Sequence, residues 1–95
     1  MARLEMLMVF AYDISDDRRR RRVAAILEDA MVRVQESVFE SRLSAAHTER
    51  LAGRAAAELA PGDSLRVYAI GKDALARCKA YGGAPLAEDH DFWVL

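Results

Sequence analysis

Three stretches of the chain have the hydrophobic pattern of β-strands. Residues 5–13 form a short run that is apolar on both faces, which is typical of a strand in the centre of a sheet. Residues 64–70 alternate between apolar and polar positions, as expected for a strand with one buried face. In residues 32–42 the alternation slips at Phe39, so this stretch predicts a bend, a bulge or two short strands.

Two further segments have the spacing of amphipathic helices. Residues 17–30 carry apolar side chains three and four positions apart, at Val23, Ile26, Leu27 and Ala30. Ser15 or Asp16 would cap the start of this helix. Residues 45–60 form the second predicted helix, with Ser44 as its cap, and the following Pro-Gly-Asp sequence ends it.

The order of these elements predicts an α+β protein with the ferredoxin-like split βαβ plan and an antiparallel sheet. Residues 71–76 indicate a turn or short helix, and residues 78–81 a further short strand. We therefore divide the chain into a domain, residues 1–82, and a C-terminal tail, residues 83–95. Because residues 92–95 are apolar to the last position, we expect an extra C-terminal strand that docks on a partner protomer.

Composition limits the possible classes of protein. A chain of 95 residues forms one domain, and a domain this small buries a limited share of its surface, so dimerisation is a common remedy. No run of about 18 apolar residues is present, so we expect no membrane association. The N-terminus does not read as a signal peptide, and Cys78 is the only cysteine. A cytoplasmic protein is expected.

Charge is unevenly distributed along the chain. The net charge is −1, yet five consecutive arginines occupy positions 18–22. Like charges at the positive end of a helix dipole repel one another and the dipole, and a bound phosphate would relieve that repulsion. The alternative is a solvated helix start held by salt bridges. We favour phosphate binding, with a nucleic acid as the source.

Asp13 is the sharpest candidate for chemistry. It places a carboxylate at the end of an apolar strand, directly before the arginines. Such a carboxylate either caps the following turn or is used in a site, and the spacing leaves both interpretations open. One carboxylate holds Mg²⁺ poorly, since the ion takes one or two carboxylates together with waters and phosphates. A catalytic Asp13 therefore requires a second copy of the chain, that is, a homodimer.

Three segments together carry a resemblance to a known family. They are residues 12–17 with the arginines that follow, residues 33–40 and residues 64–68. In order and spacing, from about residue 6 to residue 82, the chain resembles the small CRISPR-associated endoribonuclease family, the smaller of the two proteins common to spacer acquisition. It departs from the family at Met31, where many members have a glycine that ends the first helix.

The resemblance implies a ferredoxin-like homodimer that acts in antiviral defence. It implies that Asp13 faces its twin and binds Mg²⁺ or Mn²⁺ for the hydrolysis of RNA or DNA by an endonuclease. The partners that it implies are DNA or RNA and the integrase subunit of the spacer-acquisition complex. The positions that match the family's functional residues are Tyr12 and Asp13 as catalytic residues and Arg20, Arg22, Arg33 and Phe39 as nucleic-acid-binding residues.

Three functions remain as alternatives. The first is a Mg²⁺-dependent endonuclease in which paired Asp13 carboxylates hold the metal. The second is a non-catalytic DNA-binding adaptor whose dimer bridges integrase dimers. The third is a ferredoxin-like regulatory module that binds a small ligand, which the arginine run argues against. For Phe39, a role in the core or at an interface stands beside stacking on a base.

Overall fold

The computed structural model describes residues 4–86, and residues 1–3 and 87–95 lie outside this description. Within these residues the elements follow in the order β-α-β-β-α-β-α. The strands are Glu5–Asp13 (β1), Val32–Gln35 (β2), Val38–Ser44 (β3) and Ser64–Ile70 (β4). The helices are Asp17–Glu28 (α1), Ala45–Ala56 (α2) and Lys72–Leu75 (α3).

The four strands form one antiparallel sheet in the order β2-β3-β1-β4. The predicted strands at residues 5–13 and 64–70 are confirmed, as is an α+β protein with an antiparallel sheet. β1 is central because it is apolar on both faces and has a paired neighbour on each side. In the ladder Phe10 lies opposite Phe39 on one side and Val67 on the other, and Asp13 lies opposite Ser64.

The slip in the pattern of residues 32–42 is a turn between two strands. β2 and β3 form a hairpin across Glu36 and Ser37, and the register shifts between Arg33 and Gln35. Of the three predicted forms, two short strands with a bulge is therefore the one observed. Phe39 lies opposite Phe10 in the unbroken β1–β3 ladder and points into the core, where none of its surface is exposed.

The core lies between the sheet and the two long helices. Alternate residues of β1, among them Met8, Phe10 and Tyr12, pack with Val23 and Leu27 of α1. Successive side chains of a strand point to opposite faces. The opposite face of β1 therefore carries Asp13, which is exposed.

The capping residues of both long helices are confirmed. Asp16 accepts a hydrogen bond from the Arg19 backbone N–H at 2.9 Å, and Ser44 accepts one from the His47 N–H at 3.2 Å. Such bonds satisfy donors that have no partner inside the helix. The first helix thus begins as predicted, and Asp16, not Asp13, is the cap.

Both helices end earlier than their hydrophobic patterns predict. After α1, the Met31 N–H bonds to the Leu27 carbonyl at 2.8 Å, and Met31 itself does not have a positive φ. After α2, the N–H groups of Glu58 and Leu59 bond to carbonyls three positions earlier, each at 3.1 Å. The bonds after α2 are of the 3₁₀ type, whereas the Met31 bond spans four residues as in an α-helix, so the apolar spacing continues a few residues past each helix.

The predicted short strand at residues 78–81 is wrong, because these residues pair with no strand in the part of the chain that is described. The Cys78 N–H bonds to the Leu75 carbonyl at 3.0 Å, so the backbone is used in a turn that follows α3. Gly82 and Gly83 follow with positive φ values of 72° and 68°, which glycine adopts without strain. The extra C-terminal strand, and most of the tail predicted at 83–95, lie outside the described residues. Within residues 4–86, no helix has the length and apolar character needed to cross a membrane.

Candidate nucleic-acid and metal site

Asp13 lies at the end of the central strand with its carboxylate exposed to solvent. Backbone pairing opposite Ser64 fixes its position in the sheet. Its side chain forms no hydrogen bond or ion pair with the residues described. Within residues 4–86, no cluster of three acidic, histidine or cysteine side chains is arranged to hold a metal. One chain therefore offers a metal ion a single free carboxylate.

Two of the five consecutive arginines are turned toward the protein. Arg19 Nε donates to Asp63 Oδ2 at 2.9 Å, and Arg19 Nη2 donates to Oδ1 at 3.4 Å. Arg20 Nη1 donates to the backbone carbonyls of Ile14 at 2.9 Å and Ser15 at 3.3 Å, and its other nitrogen binds Asp17. Arg19 thus ties the start of α1 to the turn before β4, and Arg20 ties it to the loop that follows Asp13.

The other three arginines face outward. Arg22 Nε donates to Glu58 at 2.8 Å, but half of its side chain remains exposed. Arg21 is 80% exposed and lies 4.0 Å from Asp17. Arg18 is also exposed, and no acidic side chain among residues 4–86 lies within ion-pair distance of its guanidinium. The cationic surface at the start of α1 is thus centred on Arg18 and Arg21.

Tyr12, Phe39 and Arg33 form a stack beside this surface. The rings of Tyr12 and Phe39 are 6.2 Å apart with an interplanar angle of 29°. The Arg33 guanidinium carbon lies 5.1 Å from the Phe39 ring centre, within cation–π distance. The ring of Phe39 is buried, so in this conformation it supports Arg33 and offers no open face to a base. The Tyr12 hydroxyl is also buried, without a hydrogen-bond partner in the described part of the chain.

A groove of about 490 Å³ connects the stack with the arginine helix. Tyr12, Arg20 and Arg33 line it together with Arg21. The acidic side chains that also line it are Asp17, Glu28 and Glu36. The structure thus brings together three of the predicted site residues and places Phe39 beneath them. Asp13 lies on the opposite face of the sheet, and Arg22 points to Glu58 outside the groove. The strict alternation of strand side chains was the signal that separates Tyr12 from Asp13.

Asp63 is a site residue that sequence reasoning missed. Its side chain is 2% exposed. Its carboxylate accepts hydrogen bonds from the Arg19 side chain and from the Ala60 backbone N–H, the latter at 2.9 Å. These two donors hold the pKa of Asp63 below its ordinary value, and the Arg19 side chain has the larger effect. In the sequence it belongs to a Pro-Gly-Asp turn, and nothing there indicates a partner 44 positions away.

The fold and the site together define a small α+β protein with one antiparallel sheet, two covering helices, an arginine-rich helix start and a lone carboxylate at a strand end. Residues 6–78 match the family described as CRISPR associated protein Cas2. The chain belongs to the Cas2 family.

Individual relatives agree with this assignment. The chain is 41% identical over 86 residues to "CRISPR-associated endoribonuclease Cas2 2" of Synechocystis sp., covering 88% of this chain and 92% of that protein. The crystal structure of Streptococcus pyogenes Cas2 at pH 6.5 is similar with a TM-score of 0.69 and 30% identity, covering 81% of this chain and 100% of that one. A chain of a partial Cas6-RT-Cas1–Cas2 complex has a TM-score of 0.72 at 23% identity, covering 90% of this chain and 93% of that one, and it supports the fold alone.

Proposed function

We propose that the protein is a metal-dependent endonuclease that cuts RNA or DNA phosphodiesters and acts as a homodimer in CRISPR spacer acquisition. Membership of the Cas2 family supports this proposal, as does the Synechocystis relative named as an endoribonuclease. The observation that carries it is the exposed carboxylate of Asp13, which has no partner among residues 4–86. A buried or paired aspartate would have supported a structural role instead.

The metal would be Mg²⁺ or Mn²⁺, and one chain alone does not fit it. The single carboxylate of Asp13 leaves most of an octahedral shell to water and substrate oxygens. Asp13 from two chains across a two-fold axis would supply a pair of carboxylates. Such an ion, when bound, polarises a phosphodiester and lowers the pKa of a bound water.

Dimerisation has support in the sheet itself. Val32 is 59% exposed and Tyr68 is 47% exposed. With their ladder partners, Glu40 and Val9, they lie on the face of the sheet opposite the two long helices. This is also the face that carries Asp13, so sheets that meet there would bring two carboxylates toward each other. The element order β-α-β-β-α-β supports the ferredoxin-like plan, and we infer a cytoplasmic location.

Arg20, Arg22 and Arg33 would bind backbone phosphates in this proposal. Arg22 and Arg33 keep about half of their side chains exposed, at 51% and 43%. Arg20 already donates to two carbonyls, so its contribution to phosphate binding would come from its remaining donors. Tyr12 would shape the site from within the core, and Phe39 would act by holding Arg33.

A second candidate is a non-catalytic adaptor whose dimer binds DNA and bridges integrase dimers. One observation favours it: the exposed arginines and Asp13 lie on different faces of the sheet. Phosphate binding by these arginines therefore needs no metal at Asp13. The integrase partner rests on the family resemblance.

Asp13→Ala distinguishes the two candidates. Because Asp13 is exposed and unpaired within the described residues, we expect its removal to change the free energy of unfolding by less than about 0.5 kcal/mol. If the protein is a nuclease, cleavage of single-stranded RNA and duplex DNA is lost in this variant and in EDTA. Binding of DNA and of the integrase subunit persists. Asp73→Ala, which removes an exposed carboxylate from α3, is the matched control and retains cleavage.

The opposite results favour the adaptor. Cleavage by Asp13→Ala at the wild-type rate would show that any nuclease activity lies elsewhere. Wild-type protein that binds DNA but cuts neither substrate with Mg²⁺ or Mn²⁺ would leave the adaptor as the function.

A further inference from the structure

The groove between α1 and the β2-β3 hairpin carries acidic and basic side chains in balance. Among residues 4–86 its charged lining consists of Arg20, Arg21, Arg33, Asp17, Glu28 and Glu36. A site for phosphate alone would need an excess of positive charge, since phosphates are neutralised by Lys and Arg. The balance of charge suits a ligand that both donates and accepts hydrogen bonds.

Most of these charges already have partners inside the protein. Arg20 binds Asp17 and donates to two backbone carbonyls. Arg33 Nη1 lies 3.9 Å from Glu28 Oε2. Glu36 differs, because it is exposed and forms no hydrogen bond or ion pair within residues 4–86. It therefore offers the groove a carboxylate with both oxygens free to accept.

The turn that carries Glu36 is attached to the end of the central strand. The Tyr12 backbone N–H donates to the Ser37 carbonyl at 3.1 Å, and Ser37 directly follows Glu36. Tyr12 also lines the groove, and its hydroxyl is buried without a hydrogen-bond partner in the described part of the chain. A buried hydroxyl of this kind is costly, and a polar ligand that reached it would remove that cost.

Arg33 supplies the groove with a planar group. Its guanidinium carbon lies 5.1 Å from the ring centre of the buried Phe39, and 43% of its side chain is exposed. Guanidinium planes stack on nucleobases. The volume of about 490 Å³ lies within the range of about 300–1,000 Å³ typical of small-ligand sites, so one base fits.

We propose that this groove binds one unpaired guanine base of a single-stranded nucleic acid. Guanine has two neighbouring donors, N1–H and the N2 amino group, which suit the two oxygens of Glu36. Its O6 and N7 atoms are the acceptors that arginine favours, and Arg21, 80% exposed, has donors for them. The ring stacks on Arg33, whose N–H groups lie in the guanidinium plane and remain available to a neighbouring phosphate.

The inference rests on nucleic-acid binding, which both candidate functions share, and not on cleavage or on a metal. It adds to them a statement about the substrate. A base that enters the groove is unpaired, because its Watson–Crick edge faces Glu36. The bound strand is therefore single-stranded at this position.

The test measures the binding of short single-stranded DNAs that differ only in one central base, by fluorescence anisotropy in EDTA. We expect the wild type to bind the guanine strand about fivefold more tightly than the adenine strand. Glu36→Gln should reduce this ratio to less than about twofold, because an amide cannot accept both N–H groups. Glu49→Gln removes the same charge from an exposed position of α2 and should keep the wild-type ratio. The ratio is compared, since loss of any carboxylate strengthens phosphate binding to every strand.

Arg33→Lys tests the stacking surface. Lysine keeps the charge but not the plane, so the guanine strand should bind at least about threefold more weakly. Arg50→Lys makes the same change at an exposed position of α2 and should alter binding by less than about twofold. If Arg33→Lys does not fold, Glu36→Gln, a change in an exposed turn, carries the test alone.

Guanosine monophosphate distinguishes a free nucleotide from a strand. We expect it to compete with the guanine strand only at higher concentration, since neighbouring phosphates of a strand add contacts with the exposed arginines. Competition at equal concentration would make a free nucleotide the ligand and overturn the assignment to a nucleic acid. A duplex of the same sequence should show no base preference, because its guanine is paired.

Equal affinities of the wild type for guanine and adenine strands would overturn the proposal. So would a guanine preference that survives in Glu36→Gln, or one that Glu49→Gln abolishes equally. If the wild type prefers guanine through Glu36 but cuts neither RNA nor DNA, the nuclease proposal fails while the base site stands. A protein that cuts its substrates but has no base preference would give the reverse result.

Discussion

Phe39→Ala tests whether the aromatic ring beneath the groove is a core residue. The ring has no exposed surface in the structure. One neighbour is Tyr12, with ring centres 6.2 Å apart, and another is the guanidinium of Arg33 at 5.1 Å. A ring that stacked on a base in the free protein would instead be at least partly exposed.

The expected loss follows from this burial. An aromatic side chain buries about 150–250 Å². At about 25 cal/mol per Å² this gives roughly 4–6 kcal/mol as an upper estimate, and measured Phe→Ala losses in cores are about 3–5 kcal/mol. We expect the free energy of unfolding to fall by about 4 kcal/mol. A domain of this size has only about 5–15 kcal/mol in total, so the variant should be near the limit of folding.

Urea titration followed by circular dichroism measures this loss. The protein concentration must be the same for every variant, because the apparent stability of any self-associating protein depends on concentration. Tyr81→Ala is the control, since that aromatic side chain is 86% exposed and should change stability by less than about 0.5 kcal/mol. Phe39→Leu keeps an apolar side chain and should lose about 1 kcal/mol.

A loss below about 1 kcal/mol for Phe39→Ala would contradict a core role for this ring. It would mean that the ring does not belong to the folded core in solution. If weaker nucleic-acid binding accompanied so small a loss, direct stacking on a base would be the better interpretation of Phe39.

Two other predictions concern the arginine helix. Replacing both Arg18 and Arg21 with glutamine should weaken DNA binding and reduce the slope of log affinity against log salt by up to about 1.8. The control, Arg50→Gln with Arg54→Gln, removes the same charge from α2 and should change the slope less. Equal slopes for the wild type and both variants would contradict phosphate contacts by Arg18 and Arg21. Arg19 lowers the pKa of Asp63 below the ordinary value of 3.8, so the stabilisation from their pair is present above that pH and is lost as the pH falls through it toward the folded value. Acid unfolding of Asp63→Asn should therefore lack part of the pH dependence of the wild type, and identical acid profiles would contradict a paired Asp63.

The sequence was most informative where local rules are strong. The strand at residues 5–13 and the start of the first helix follow from apolar runs and from a capping side chain, which act over a few residues. Helix ends were less predictable. Met31 occupies a position where a glycine would have marked the end, and the chain closes α1 with backbone bonds to Leu27. Such bonds leave little trace in composition.

The candidate site was predicted as a set of residues and not as an arrangement. Asp13 and the arginines stand out because a carboxylate at a strand end and repeated charges are unusual in any chain. That Arg19 and Arg20 turn inward depends on partners in other elements, Asp63 and the carbonyl of Ile14. No property of the arginines themselves distinguishes them from Arg18 and Arg21.

By itself the sequence determined the alternation of strands and helices, the free carboxylate and the local excess of positive charge, because each is encoded by residues close together in the chain. The tertiary structure alone decided which arginines remain available and that Arg19 of α1 pairs with Asp63 in the turn before β4. It also decided that Phe39 lies beneath Arg33. These features depend on contacts between residues far apart in the chain, and only the packing of α1 and the sheet brings those residues together.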